Sequence, residues 1–138
     1  VVSATRKNVL GYTKYQILIL DFLMNINKIS FLASDTPEAI NALASLQKRY
    51  KHVAPEDADI IVALGGDGFM LRTLHQFKNS KTAIFGMNRG SVGFLMNEFS
   101  EEGLEERLAK ADPATVHPLA MQTTTKDGNV TDTHAINE

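Results

Sequence analysis

A short apolar run that ends in three glycines constrains this chain more than any other stretch. Asp59-Ile60-Ile61-Val62-Ala63 is rich in β-branched residues and reads as a buried strand. Leu64-Gly65-Gly66-Asp67-Gly68-Phe69 follows it. Met70-Leu71-Arg72-Thr73-Leu74-His75-Gln76-Phe77 comes next, with apolar residues at helical spacing. The order is therefore strand, glycine turn, helix. In an open α/β sheet such turns lie at the carboxyl edge, where ligands bind. Glycines let a ligand approach the backbone closely, because no Cβ intervenes. A helix start adds free N–H groups and a positive dipole end, both suited to phosphate. Asp67 is the odd member, since a carboxylate repels phosphate. Two readings stand. Asp67 is a helix cap in a tight βα turn, or it accepts a proton from a hydroxyl or helps hold a metal beside phosphates.

The flanking sequence extends the same architecture. Residues 28–33 read as the first strand. Asp35-Thr36-Pro37-Glu38 is a helix start, with Asp35 as cap, Pro37 in the first turn and Glu38 at capping-box spacing. Ile40, Leu43, Leu46 and Tyr50 then give one apolar face, and Lys48, Arg49 and Lys51 close the helix at its negative end. Residues 82–87 form another buried strand. The order β-α-β-α-β predicts an α/β fold with an open, mainly parallel sheet and helices on both faces. Residues 100–111 read as a helix with Glu101 and Glu102 at its positive end, stopped by Asp112-Pro113.

The pattern then changes. Residues 115–125 are extended, Lys126-Asp127-Gly128-Asn129 is a turn, and residues 130–136 are extended again. This predicts the first hairpin of a truncated all-β domain. The expected division is an α/β nucleotide-binding domain at 28–115, the start of the β domain at 116–138, and an extension at 1–27. In that extension Ile17-Leu18-Ile19-Leu20 follows Arg6 and Lys7 and is interrupted by Asp21. The run is too short to span a membrane. Met24 suits a start position, and a signal peptide or an extra strand at 16–22 are the alternatives.

Composition narrows the function classes. The chain has 138 residues, enough for one domain with a core. Its net charge of -2 gives no electrostatic footprint for nucleic acid. It has no cysteine, which excludes disulfides and thiolate metal sites. His52, His75, His117 and His134 are scattered without ligand spacing, so no metal site is expected from them. No basic or apolar membrane face stands out.

A second glycine cluster lies at the end of the third strand: Gly86-Met87-Asn88-Arg89-Gly90-Ser91-Val92-Gly93-Phe94-Leu95. Glycine there relieves turn strain or opens room for a ligand, and three of them around a polar Asn-Arg pair favour the ligand. The spacing fits neither the dinucleotide fingerprint nor a P-loop.

These two stretches, with Ala135-Ile136-Asn137-Glu138, resemble the NAD kinase family in order and spacing. The resemblance runs over residues 28–138, its N-terminal portion, and residues 88–98 look most like bacterial members. Gly-Gly-Asp-Gly alone is shared with lipid kinases and, more loosely, phosphofructokinases. The resemblance implies transfer of the γ-phosphoryl of ATP, or of polyphosphate, to the adenosine 2′-hydroxyl of NAD, giving NADP. It implies a divalent metal, Mg2+, with the donor, a homodimer or homotetramer, and a cytoplasmic enzyme that binds neither membrane nor nucleic acid. Asp67 is then the base or orienter of the 2′-hydroxyl. Gly66 and Gly68 line the phosphate path, Phe94 lies against adenine, and Asn137 and Glu138 hydrogen-bond the adenosine. Phe69 departs from the family, where many members carry Thr. Most of the second domain is also missing, so the chain resembles a fragment inactive by itself. The competing readings are a kinase of a lipid or sugar with the same glycine motif, and a non-catalytic nucleotide-binding module.

Overall fold

The structure, a computed structural model, describes residues 27–90 and 93–136. Residues 1–26 of the expected extension at 1–27, with its alternative readings as a signal peptide or an added strand, lie outside the described residues. So do Ser91, Val92, Asn137 and Glu138.

Three parallel strands form the sheet, in the order β1 (Ile29–Ala33), β2 (Ile60–Gly65), β3 (Ala83–Asn88). Ile29 pairs with Ile60 and Ile60 with Ala83, so the three carboxyl ends finish side by side at Ala33, Leu64 and Met87. Every residue of β2 is buried, as its position between two strands requires. That is why its sequence is continuously apolar rather than alternating.

Two helices cover one face. Helix α1 (Pro37–Arg49) connects β1 to β2, and a short α3 (Leu104–Lys110) follows β3. Ile29, Phe31, Ile60, Val62, Leu64, Phe85 and Met87 on that face pack with Ala39, Ala42 and Leu46 of α1 and Leu104 and Leu108 of α3. Helix α2 (Asp67–Gln76) serves the opposite face, toward which Ile61, Ala63 and Gly65 alternate. A Cβ on Gly65 would meet the Phe69 side chain at 2.9 Å, so glycine lets α2 lie close to the strand end. The one buried hydroxyl of α2, on Thr73, donates to the Phe69 carbonyl at 2.9 Å. Helices on both faces of a parallel sheet agree with the sequence reading.

Several local expectations are corrected. The cap of α1 is Thr36 rather than Asp35: its Oγ1 accepts from the Ala39 amide at 3.3 Å. The buried stripe of α1 is Ala39, Ala42 and Leu46, while Ile40 is half exposed. Alanines let helix and sheet approach closely, and their small side chains weaken the apolar signal in the sequence. The helix expected at 100–111 is shorter, because Gly103 adopts φ 64° immediately before it. Glu105 and Glu106, not Glu101 and Glu102, occupy its first turn. The Ser100 hydroxyl accepts from the Glu102 amide at 3.2 Å, which closes a bend where a helical turn was expected. Helix α2 begins three residues earlier than its apolar pattern, at Asp67.

Tyr50 joins the layers at the far end of α1. Its hydroxyl donates to the Glu101 carbonyl at 2.8 Å and accepts from the Leu104 amide, while its ring lies 6.4 Å from Phe31. Beyond α3, β4 (Leu119–Thr124) and β5 (Val130–Ala135) form an antiparallel hairpin in a separate sheet. Its turn is closed by the Gly128 amide on the Thr125 carbonyl, with Gly128 at φ 81°. The hairpin expected from the Asp-Gly signature is present, with β4 starting at Leu119 instead of 115.

Candidate functional site

The carboxyl edge of the sheet brings the two glycine stretches together. At the end of β2, Gly66 is the N-cap residue of α2 and Asp67 its first helical residue. Asp67 makes no capping bond. Its side chain instead reaches across to the segment after β3. One carboxylate oxygen accepts the Phe94 amide at 2.9 Å and the other the Leu95 amide at 3.0 Å. The reading of Asp67 as a helix cap is thereby overturned. A second tie runs from the Arg89 amide to the Gly65 carbonyl at 2.8 Å.

The segment after β3 folds back along that strand. The Asn97 amide and its side-chain Nδ2 both donate to the Gly86 carbonyl, and the Asn88 amide donates to the Asn97 carbonyl at 2.8 Å. Asn88 Oδ1 accepts from the Gly90 amide at 3.0 Å, starting the turn that carries the chain out and back. These bonds hold the loop on both sides, so the position of Phe94 and Leu95 over Asp67 is specified by backbone pairing.

The glycines sort into two kinds. A Cβ on Gly93 would fall 2.2 Å from Asp67 Oδ1, and one on Gly86 would fall 2.6 Å from the Met96 sulfur. These two glycines admit the crossing of the chain's own groups, a cause that the sequence reading did not consider. Gly66 and Gly90 face open space, and Gly68 has only an Arg72 nitrogen at 4.0 Å. The turn N-terminal to α2 is therefore open to a ligand on the side of Gly66 and Gly68, next to the first N–H groups of the helix.

Phe94 projects fully into solvent. An exposed ring held by its own backbone bond beside a carboxylate is a surface on which a planar base can stack. A cleft of about 740 Å³ is lined by Glu38, Arg89, Gly93, Asn97 and Phe99, among others. Arg89 sits over Phe99, with its guanidinium carbon 3.7 Å from the ring centroid. Sequence reasoning noted the Asn-Arg pair but assigned it no role and passed over Phe99. The ten-residue separation of Arg89 and Phe99 carries no periodic signal, since a loop connects them.

No three acidic or histidine side chains converge as a metal cage among the described residues. Each Asp67 oxygen accepts one N–H group, and no other acidic or histidine side chains gather with Asp67 as a cage among the described residues. The residues described here do not fit a dedicated magnesium site.

Comparison with known proteins supplies the remaining observation. Residues 7–111 match the family model described as ATP-NAD kinase N-terminal domain. The chain is 58% identical over 96 residues to the NAD kinase of Caulobacter vibrioides, covering 70% of this chain and 37% of that protein. It is 54% identical over 110 residues to the NAD kinase of Brucella suis biovar 1, covering 80% and 43%. With the NAD kinase of Rhizobium meliloti the identity is 51% over 112 residues, covering 81% and 44%. The chain thus spans less than half the length of each of these relatives.

Proposed function

Because this chain belongs to the NAD kinase family, we propose that it supplies the phosphoryl-transfer edge of an enzyme that makes NADP from NAD. The observation that carries the reading is the Asp67 carboxylate, fixed by two backbone N–H groups between an open helix N-terminus and an exposed Phe94 ring. A ring that stacks adenine places the attached ribose near Asp67. Each carboxylate oxygen has two lone-pair directions. One is used by the loop, and the other is left to accept the 2′-hydroxyl proton. Asp67 then orients the hydroxyl and takes its proton as the new O–P bond forms and the bond from the terminal phosphorus to the donor's bridging oxygen breaks, releasing ADP or the shortened polyphosphate.

The donor in this reading is ATP or polyphosphate. Its phosphates lie along Gly66 and Gly68, where the α2 amides and dipole offset negative charge. Phosphoryl transfer passes through a loose transition state, so positioning and electrostatics do most of what the protein contributes. A divalent ion, Mg2+ in this reading, would accompany the donor phosphates and offset their charge. Asn137 and Glu138 complete the adenosine contacts. Residues 116–138 begin an all-β domain that closes over NAD, and the cytoplasmic enzyme is a homodimer or homotetramer.

The test is NADP formation from NAD with ATP or polyphosphate. A protein extended to the length of the relatives turns over, and residues 1–138 alone do not. Substantial turnover by the 138-residue chain would show that the described edge is sufficient. No turnover by the longer protein with either donor overturns the reading.

A further inference from the structure

Among the described residues Arg89 is the one cation on the wall of the 740 Å³ cleft, and its surroundings are unusual. Its backbone is fixed by the amide bond to the Gly65 carbonyl. Its guanidinium is stacked on Phe99 at 3.7 Å. Its Nε is buried and lacks a hydrogen-bond partner, and among the described residues no carboxylate pairs with it. The sole ion pair there is the exposed one between Arg49 and Glu102.

A stacked arginine with a carboxylate partner would be an ordinary strut. Without one, the guanidinium is held against Phe99 with no carboxylate among the described residues to neutralise it, and with its buried Nε–H unpartnered. A buried donor left unpaired is costly, more so on a charged group. A planar fork matches two oxygens of a phosphate, and stacking reduces the rotamer freedom that binding must remove. Glu38 and Glu98 also line the cleft, two carboxylates to one guanidinium, so the lining does not attract anions as a whole and an anion must be gripped by the geometry at Arg89.

We propose that Arg89, braced by Phe99, is a phosphate receptor at the mouth of this cleft. It takes either the terminal phosphates of the donor or the pyrophosphate of NAD. The assignment of those two sources rests on the kinase reading, whereas the anion site itself does not. Phe99 acts through Arg89 as a positioning residue.

The experiment follows the Nε–H resonance of Arg89 in the 138-residue chain, assigned by its loss in Arg89→Lys. Tripolyphosphate, ATP and NAD are titrated separately at low salt. The resonance shifts saturably with at least one of them. A response to tripolyphosphate and ATP identifies the donor, and a response to NAD alone identifies the dinucleotide. The same ligand binds about 10- to 100-fold more weakly to Arg89→Met, and Arg89→Lys recovers part of the loss. Phe99→Leu weakens binding less and leaves the charge in place. An unmoved Arg89 resonance with all three probes overturns the proposal, as does equal affinity in wild type and a folded Arg89→Met. If Arg89→Met does not fold, the wild-type resonance decides by itself. NADP formation by the longer protein is assayed in parallel. Turnover with a silent Arg89 removes this site and keeps the kinase reading, and a responsive Arg89 without turnover does the reverse.

Discussion

The two N–H groups that hold Asp67 also decide how its substitutions should behave. Asp67→Asn keeps the shape but offers one acceptor oxygen, and its amide group meets one N–H donor to donor. The loop is exposed, so water replaces the lost bond at small cost. In the longer protein kcat is expected to fall about 10²–10⁴-fold, with NAD affinity changed far less. Normal turnover by folded Asp67→Asn would exclude a catalytic role. Gly93→Ala asks a different question, because it leaves the carboxylate intact. Its Cβ would sit 2.2 Å from Oδ1, where ordinary contact begins near 3.4 Å. Either Asp67 or the loop must move, so kcat should drop with the charge still present. Wild-type kcat and NAD affinity in Gly93→Ala would show that the crossing of Asp67 under the loop is not needed. By contrast a Cβ on Gly90 meets nothing within 4 Å, so Gly90→Ala should leave the position of the loop over Asp67 and the melting temperature unchanged.

The elements show which signals the sequence carries and which it hides. The parallel strands were legible because β2 is buried on both faces and spells Ile-Ile-Val-Ala-Leu. The glycine turn was legible because Gly65, Gly66 and Gly68 stand between two clear periodicities. The partner of Asp67 was not, because it depends on a crossing 27 residues away in sequence. Boundaries failed where side chain and backbone compete locally. Thr36 takes the cap from Asp35, and Ser100 diverts its turn from helix. These corrections are testable. Thr36→Ala should cost about 1 kcal/mol of stability, measured by urea unfolding, whereas Asp35→Ala should cost much less. Equal losses would return the cap to Asp35. Gly103 at φ 64° admits no side chain without strain, so Gly103→Ala should destabilise by about 1 kcal/mol. Leu46→Ala, which empties a fully buried position between α1 and the sheet, should cost about 2–5 kcal/mol.

At the scale of the whole molecule the described chain has two unequal parts. The sheet with α1 and α3 has a continuous core from Ile29 to Leu108. The hairpin has none: residues 119–134 are all exposed, with Leu119 at 67% and Met121 at 53%. Its register nonetheless puts Leu119, Met121 and Ala135 on one face with Thr123, Thr131 and Thr133, and Gln122 bonded to Asp132 on the other with Ala120, Thr124, Val130 and His134. The first face carries no charged side chain and the second does, which makes the first the one suited to being covered. A lone hairpin is marginal in water, and its open edges invite pairing with other chains. Hydrogen exchange can read this directly. In the 138-residue chain the paired amides of β4 and β5 should exchange nearly as fast as those of a free peptide, while Val62 and Phe85 stay protected. The same chain should also associate with itself as concentration rises. In a protein of the relatives' length, the hairpin amides should gain protection comparable to the parallel sheet, because the Leu119 and Met121 face is then covered. Slow hairpin exchange in the 138-residue monomer would show that the hairpin is stable without further sheet. Fast exchange in the longer protein would show that this face is never packed, and would remove the assignment of residues 116–138 to a β domain closing over NAD.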